Sequence, residues 1–353
     1  PVIAILSPLE VLKLIESEKE ITEKDKKGKN EKGIIEKTSF IIDDIYQRTI
    51  EMDVLVQEIT RKVQSIRDHS TVRISLMSTV SDNRFINFIG GVKELRLETN
   101  VNPNIKYEKV RCRNVQEIGK RTLLYEMRMF LDNWIDGKKY DIGSIITFVP
   151  NAKIGKRILK GIYNAYSKED SLTIVPLRTK VRKGETLESF QERLLADIEI
   201  AAAERTENMD LIPTANAPPA ENVLFILPMD MTGNIIDEEK IFIESQLPFI
   251  KHKFARLLIS TNKNEQFINP PDLKVIFDSG LYEAEYYDIE KGVSIFKEEL
   301  LPQPFIDQRH NLFSACDKSG VHFVFDIRDK ERPTEIIPAV KRCNMAHSIL
   351  KLR

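Results

Sequence analysis

Short apolar runs alternate with amphipathic stretches along most of this chain, and that alternation restricts the fold more than any other property. The runs near 39–43, 72–77, 93–98, 144–149, 171–177, 223–228, 255–260, 273–277 and 321–326 are rich in Ile, Val, Leu and Phe. Several, such as Ser144-Ile145-Ile146-Thr147-Phe148-Val149, are continuous rather than alternating with polar residues. Continuous short runs are expected of strands buried on both faces, as in parallel sheets. Between them, segments near 51–67, 82–89, 121–135, 153–166, 186–204, 237–248 and 338–352 read as helices; in the first, Met52, Leu55, Val56, Ile59 and Val63 recur at i, i+3, i+4 spacing. A hairpin is expected at 281–297. Strands alternating with helices imply an α/β protein with parallel sheets in two units.

Composition is that of an ordinary globular chain: 353 residues, 42% apolar and 30% charged. Residues 16–37 are nearly all Lys, Glu, Asp, Gly and Asn and are expected to form a disordered, solvated loop. Residues 100–120 are polar without strong periodicity, which places a boundary between units 1–110 and 111–353. Pro213, Pro218 and Pro219 mark a loop over 207–222. Lys plus Arg total 53 against 54 Asp plus Glu, a net charge of −1, so bulk charge gives no argument for nucleic acid. Local charge is uneven: Arg73, Arg84, Arg111, Arg113, Arg121 and Arg128 make 73–128 basic, a stretch that reads either as ordinary solvated surface or as a weak, salt-dependent phosphate contact. The three cysteines lack CxxC spacing and the five histidines lack HExxH, which argues against a zinc centre and for reduced thiols. No apolar run is long enough to span a membrane. A cytoplasmic location is expected, with the nucleus as the alternative.

The run Phe40-Ile41-Ile42 ends in Asp43-Asp44, followed at once by a helix-like segment rich in acids and arginine. A buried parallel strand delivers acids in this way to the carboxyl edge of a sheet, where α/β proteins bind ligands. Such a pair can hold Mg²⁺ and position an attacking water; it can also be an ordinary solvated strand end.

Other blocks repeat this choice in a telling order. Ile5-Leu6-Ser7-Pro8-Leu9-Glu10-Val11-Leu12, Ile41-Ile42-Asp43-Asp44-Ile45-Tyr46-Gln47-Arg48, and Ile74-Ser75-Leu76-Met77-Ser78-Thr79-Val80 occupy the first unit. Ser144 to Pro150, Leu258-Ile259-Ser260-Thr261-Asn262, Ile268 to Gly280, Tyr287-Asp288 with Gly292, Gln308-Arg309 and Ile336 to Leu352 occupy the second. In this order the blocks resemble those of DEAH-type superfamily 2 RNA helicases. Arg48 to Asp53 and Leu257 to Asn262 are most similar to spindle-E-like tudor-domain helicases.

The resemblance implies tandem RecA-like parallel-sheet domains, the first incomplete because its phosphate-loop half is absent. It implies a segment inserted near 178–222 of the second domain, ATP and Mg²⁺ as cofactors, and RNA as partner. Asp43 matches the acid that holds Mg²⁺ through water, and Asp44 the position of the base. Ser78 and Thr79 match the block that couples hydrolysis to RNA contact. Thr261 and Asn262 match RNA-backbone contacts, Asp278 and Gly280 a nucleotide-sensing turn, and Gln308 and Arg309 the start of the final catalytic block.

The same blocks are altered. Asp44 is one methylene shorter than the expected glutamate, and a misplacement of order 1 Å can cost about 10²-fold in rate. Tyr46 stands where a histidine is expected and Val80 where a threonine is. The two later arginines of the final block are replaced by Leu312 and Ala315, and loss of an arginine finger typically costs about 10³–10⁵. The expected function is therefore a helicase-like protein unable to hydrolyse ATP alone. It would retain RNA or protein binding in a ribonucleoprotein or small-RNA pathway, completed by protein partners or a missing N-terminal segment. Two alternatives stay open: a fragment of an active ATP-dependent RNA helicase whose phosphate loop lies upstream, and a scaffolding subunit reusing the fold.

Overall fold

The computed structural model describes residues 6–8, 10–13, 15, 39–43, 49–65, 73–78, 103–118, 122–135, 143–166, 172–174, 182, 184–210, 224–244, 253–265, 268–316, 319–328, 330–335 and 337–343. The chain divides into two compact units. One comprises Pro1–Arg96, Ala284–Lys297 and Thr334–Arg353, the other Leu97–Glu283 and Glu298–Pro333.

In the first unit β1 (Ser39–Ile42) and β2 (Arg73–Leu76) pair in parallel, Ile42 opposite Leu76. Helix α1 (Ile50–Ser65) starts where the Thr49 hydroxyl accepts a hydrogen bond from Met52 N–H, with Glu51 and Asp53 in its first turn. Its Leu55, Val56 and Ile59 pack with Ile42, Leu12 and Ile15 into a small core. The expected helix 82–89 and strand 93–98 lie outside the described residues. Of the expected final helix, residues 339–341 form a single 3₁₀ turn, and 344–352 are not described. The turn is not extended at Arg342, whose carbonyl accepts from Tyr287 N–H at 2.7 Å.

The second unit is built on a seven-stranded sheet. Its strands are β3 (Ile105–Cys112), β4 (Ser144–Phe148), β5 (Leu172–Ile174), β6 (Leu224–Met231), β7 (Lys253–Ser260), β8 (Leu273–Asp278) and β11 (Gly320–Ile327), in spatial order β3-β11-β8-β4-β7-β6-β5. Every neighbouring pair is parallel. β9 (Leu281–Asp288) and β10 (Val293–Leu300) pair as a hairpin closed by Gly292 at φ +66, of which Ala284–Lys297 belongs to the first unit. Among its described residues this unit also holds helices α2 (Leu123–Ile135), α3 (Ala152–Tyr166), α4 (Leu187–Asp210), α5 (Asp237–Glu244) and α6 (Gln303–His310), besides a single turn at Val115–Glu117.

Central strands β4 and β8 are buried along their whole length, which explains their unbroken apolar runs. Successive residues point to opposite faces. Ile145, Leu257 and Phe277 join α2 and α3 in one core; Ile146, Leu258 and Ile276 join α4 and α5 in the other. Helix α4 lies within the segment read as an insertion, yet its Phe190 is fully buried and stands edge-on to Phe242. Its first turns are part of the core rather than a surface loop. The helix also runs on to Asp210, past the start of the expected loop at 207. The polar boundary at 100–120 contains β3, an eight-residue edge strand in full parallel register with β11. Most of its residues are exposed, so no apolar pattern announced it.

Candidate functional site

The carboxyl ends of β7 and β8 face helix α6, and the side chains gathered there are mostly buried and charged. Arg309, only 1% exposed, lies on α6 with its guanidinium carbon 4.2 Å from the centroid of the Phe148 ring. Its Nη1 donates to Asp278 Oδ1 at 2.6 Å and its Nε to Glu265 Oε2 at 2.8 Å, while Nη2 lies 2.8 Å from that same glutamate oxygen. Asp278 ends β8 and is fully buried; its Oδ1 also accepts from Gly280 N–H at 2.8 Å. Gly280 has φ +63, and a β-carbon there would lie 2.6 Å from the Phe325 carbonyl oxygen, so only glycine serves this turn.

Two histidines extend the cluster. His322 Nε2 is 3.6 Å from Asp278 Oδ2, and His322 Nδ1 is 3.2 Å from His310 Nδ1, so one ring donates and the other accepts. Tyr107 of β3 stands edge-on to both rings. Burial alone would raise the Asp278 carboxyl, but the Arg309 guanidinium, His322 and the Gly280 N–H hold it down to about 2. Burial lowers His322 against the pull of Asp278, and burial followed by repulsion from His322 lowers His310.

Thr261 and Asn262 follow β7 directly. The Thr261 side chain is 5% exposed, and its hydroxyl has no hydrogen-bond partner among the described residues. Asn262 is partly exposed and Lys263 exposed. The segment is tied at its far end: Asn264 Nδ2 donates to the carbonyls of Met231 and Gly233 at 2.6 Å each, and Glu265 is held by Arg309. The structure thus brings Thr261, Asn262, Asp278, Gly280, Gln308 and Arg309 into one region of the second unit.

In the first unit, the parallel register puts Asp43 and Ser78 just past the ends of β1 and β2, both exposed, with Met77 N–H bonded to the Ile42 carbonyl at 2.8 Å. Asp44, Tyr46 and Thr79 lie outside the described residues. No group of three or more His, Cys, Asp or Glu side chains among the described residues is disposed to hold a metal. Asp43 alone would fit Mg²⁺ only where phosphates and waters complete the shell. Nη1 and Nε of Arg309 are hydrogen-bonded to Asp278 and Glu265, while its buried Nη2 has no hydrogen-bond partner among the described residues.

Sequence reasoning passed over Glu265, His310 and His322, and also Arg256. Arg256 is fully buried and donates to Ser144 Oγ, to the carbonyls of Phe242 and Ile243, and to Asp272 at 2.6 Å. A lone arginine inside the apolar run of β7 was the available signal for it; Glu265 carried none.

Among the described residues, no helix is long and apolar enough to cross a membrane. Comparison of the chain with protein-family models and with curated proteins gives no match. Solved structures do match. One is the crystal structure of the E. coli DExH-box NTPase HrpB, 12% identical, with a TM-score of 0.58 over 97% of this chain and 32% of that one. Another is that of the Escherichia coli DEAH/RHA helicase HrpB, also 12% identical, with a TM-score of 0.60 over 97% of this chain and 34% of that one. The chain thus spans about a third of the neighbours it matches. At this identity the likeness establishes the fold, an α/β arrangement with the parallel sheet of helicase RecA-like domains.

Proposed function

We propose that this chain is a helicase-like RNA-binding protein that does not turn over ATP by itself. The observation that carries the reading is the burial of Arg309. It is the remaining arginine of its block, and its Nη1 and Nε are hydrogen-bonded to Asp278 and Glu265 inside the protein. Leu312, at one of the positions where the resemblance expects arginine, packs against the second core. A phosphate reaching Nη1 or Nε of Arg309 would have to displace a carboxylate, which costs several kcal/mol in a dry site. Yet the Arg309–Glu265 pair fixes one end of the Thr261–Glu265 segment. The block that no longer serves catalysis still holds the segment that resembles an RNA contact.

On this reading an RNA backbone meets Thr261, Asn262 and Lys263 at the carboxyl edge of the sheet, within a ribonucleoprotein or small-RNA pathway. Kinship to spindle-E-like helicases rests on the two short blocks named above.

The test pairs two assays on the same chain. RNA-stimulated ATP hydrolysis should stay at background; multiple turnover would overturn the inactive reading. A labelled single-stranded RNA should bind with strong salt dependence, and Asn262→Ala should weaken it several-fold. Unaltered binding by Asn262→Ala would remove this edge as the RNA site.

A further inference from the structure

Helix α3 carries four cations and no acid. Lys153, Lys156, Arg157 and Lys160 are all exposed, and their i, i+3, i+4, i+7 spacing aligns them in one stripe. At the helical rise the stripe is about 10 Å long. Tyr163, 47% exposed, continues it by one turn. The opposite face buries Ile154, Ile158, Leu159 and Ile162, so the rotation of the helix is fixed and the stripe faces water. Some other cations of this chain have acidic partners: Arg193 with Glu185, Lys240 with Asp237, Lys291 with Asp288. Among the described residues none of these four stripe side chains is so paired.

The stripe has a cost. Lys153–Arg157 and Lys156–Lys160 are like-charge i, i+4 pairs, each destabilising by about 0.2–0.5 kcal/mol. Charge is also segregated within this unit. Helices α4 and α5, on the other face of the sheet, hold eleven acids and three bases, although the whole chain is nearly neutral. A row of point charges with no apolar centre is poor as a protein interface, whose core is depleted in lysine. It suits a periodic polyanion, with Tyr163 as a platform for one base at its end.

We propose that the outer face of α3 is a second docking surface, separate from the Thr261–Lys263 edge, for the phosphodiester backbone of a single-stranded nucleic acid. Helix α3 begins at the carboxyl edge of the sheet, where Asn151 caps it by accepting from Ile154 N–H at 3.1 Å. A strand held at that edge can therefore continue down the stripe.

The test is binding of a labelled twelve-nucleotide oligo(U) RNA across a salt series. Neutralising Lys153, Lys156, Arg157 and Lys160 to Gln together should lower the log–log salt slope by about 2–3 and weaken binding at 0.1 M salt at least about tenfold. Replacing the three lysines by Arg should leave the slope as it is. Tyr163→Ala should lower affinity without changing the slope. An unchanged slope in the neutralised, still-folded variant overturns the proposal. So does competition by polyglutamate as effective as that by RNA of equal charge, which would point to an acidic protein instead. The two surfaces separate cleanly. If Asn262→Ala abolishes binding and the neutralised variant does not alter it, only the edge survives; the converse leaves only the stripe.

Discussion

Arg309 makes its contacts with two carboxylates and the face of Phe148, and this geometry decides what the residue can do. A guanidinium with buried partners is a structural cross-link between α6, β8 and the segment after β7. Removing one partner leaves a buried charge uncompensated, which typically costs about 3–5 kcal/mol. Asp278→Asn keeps the shape of the side chain and removes the charge. It should therefore destabilise the second unit by about that amount, read as a shift in the denaturant midpoint. A loss below about 1 kcal/mol would mean that water reaches the pair and that Arg309 is held less tightly than its geometry indicates. The sequence singled out Asp278 and Arg309 separately, for their place in similar blocks. Their pairing across 31 positions, and that of Arg309 with Glu265 across 44, was not legible, because no local pattern links residues so far apart.

Elements were legible wherever burial imposed a period. β4, β6, β7, β8 and β11 lie close to where their apolar runs placed them, because a strand covered on both faces has nothing else to be made of. β3 was not legible, since an exposed edge strand tolerates Lys, Glu and Arg on either side. Turn chemistry shows the same division. The resemblance places Gly280 in a turn, and its φ of +63 fits one. What the sequence did not reveal is that the turn is also packed against the Phe325 carbonyl, while Arg332 Nη1 bridges the carbonyls of Gly280 and Leu301. Gly280→Ala should thus cost at least about 2 kcal/mol, combining backbone strain with a clash against main chain. Gly233→Ala is the control: open space surrounds that position, and the change should cost less than about 0.5 kcal/mol. Equal effects at both sites would show that the β8–β9 turn relaxes freely.

At the scale of the molecule, a parallel sheet converges the ends of its strands on one edge, and here charge converges with them. Asp278 from β8, Arg309 and Asp307 from α6, His322 from β11, His310 from the end of α6, Tyr107 from β3 and Glu265 after β7 all meet or influence one another. Their titration is therefore linked to unfolding of the whole second unit. Both histidines sit below their usual value in the folded chain. A base depressed by folding contributes stability that is complete above its unfolded value, near 6.5, and that is lost as pH falls below it. Each histidine can add a slope of up to about 1.4 kcal/mol per pH unit. The Asp278 carboxyl is depressed as well, to about 2, so its contribution persists to lower pH and disappears between the unfolded value near 3.9 and about 2. Stability of the chain against urea should accordingly decline in two stages, the first starting near pH 6.5 and the second below about pH 4. His322→Gln retains an amide that can donate to Asp278 but does not titrate. It should flatten the first stage and leave the second in place. Should the first stage keep its full slope in His322→Gln and also in His310→Gln, the two rings would have to be solvated in the folded chain, contrary to their burial beside Asp278 and Tyr107.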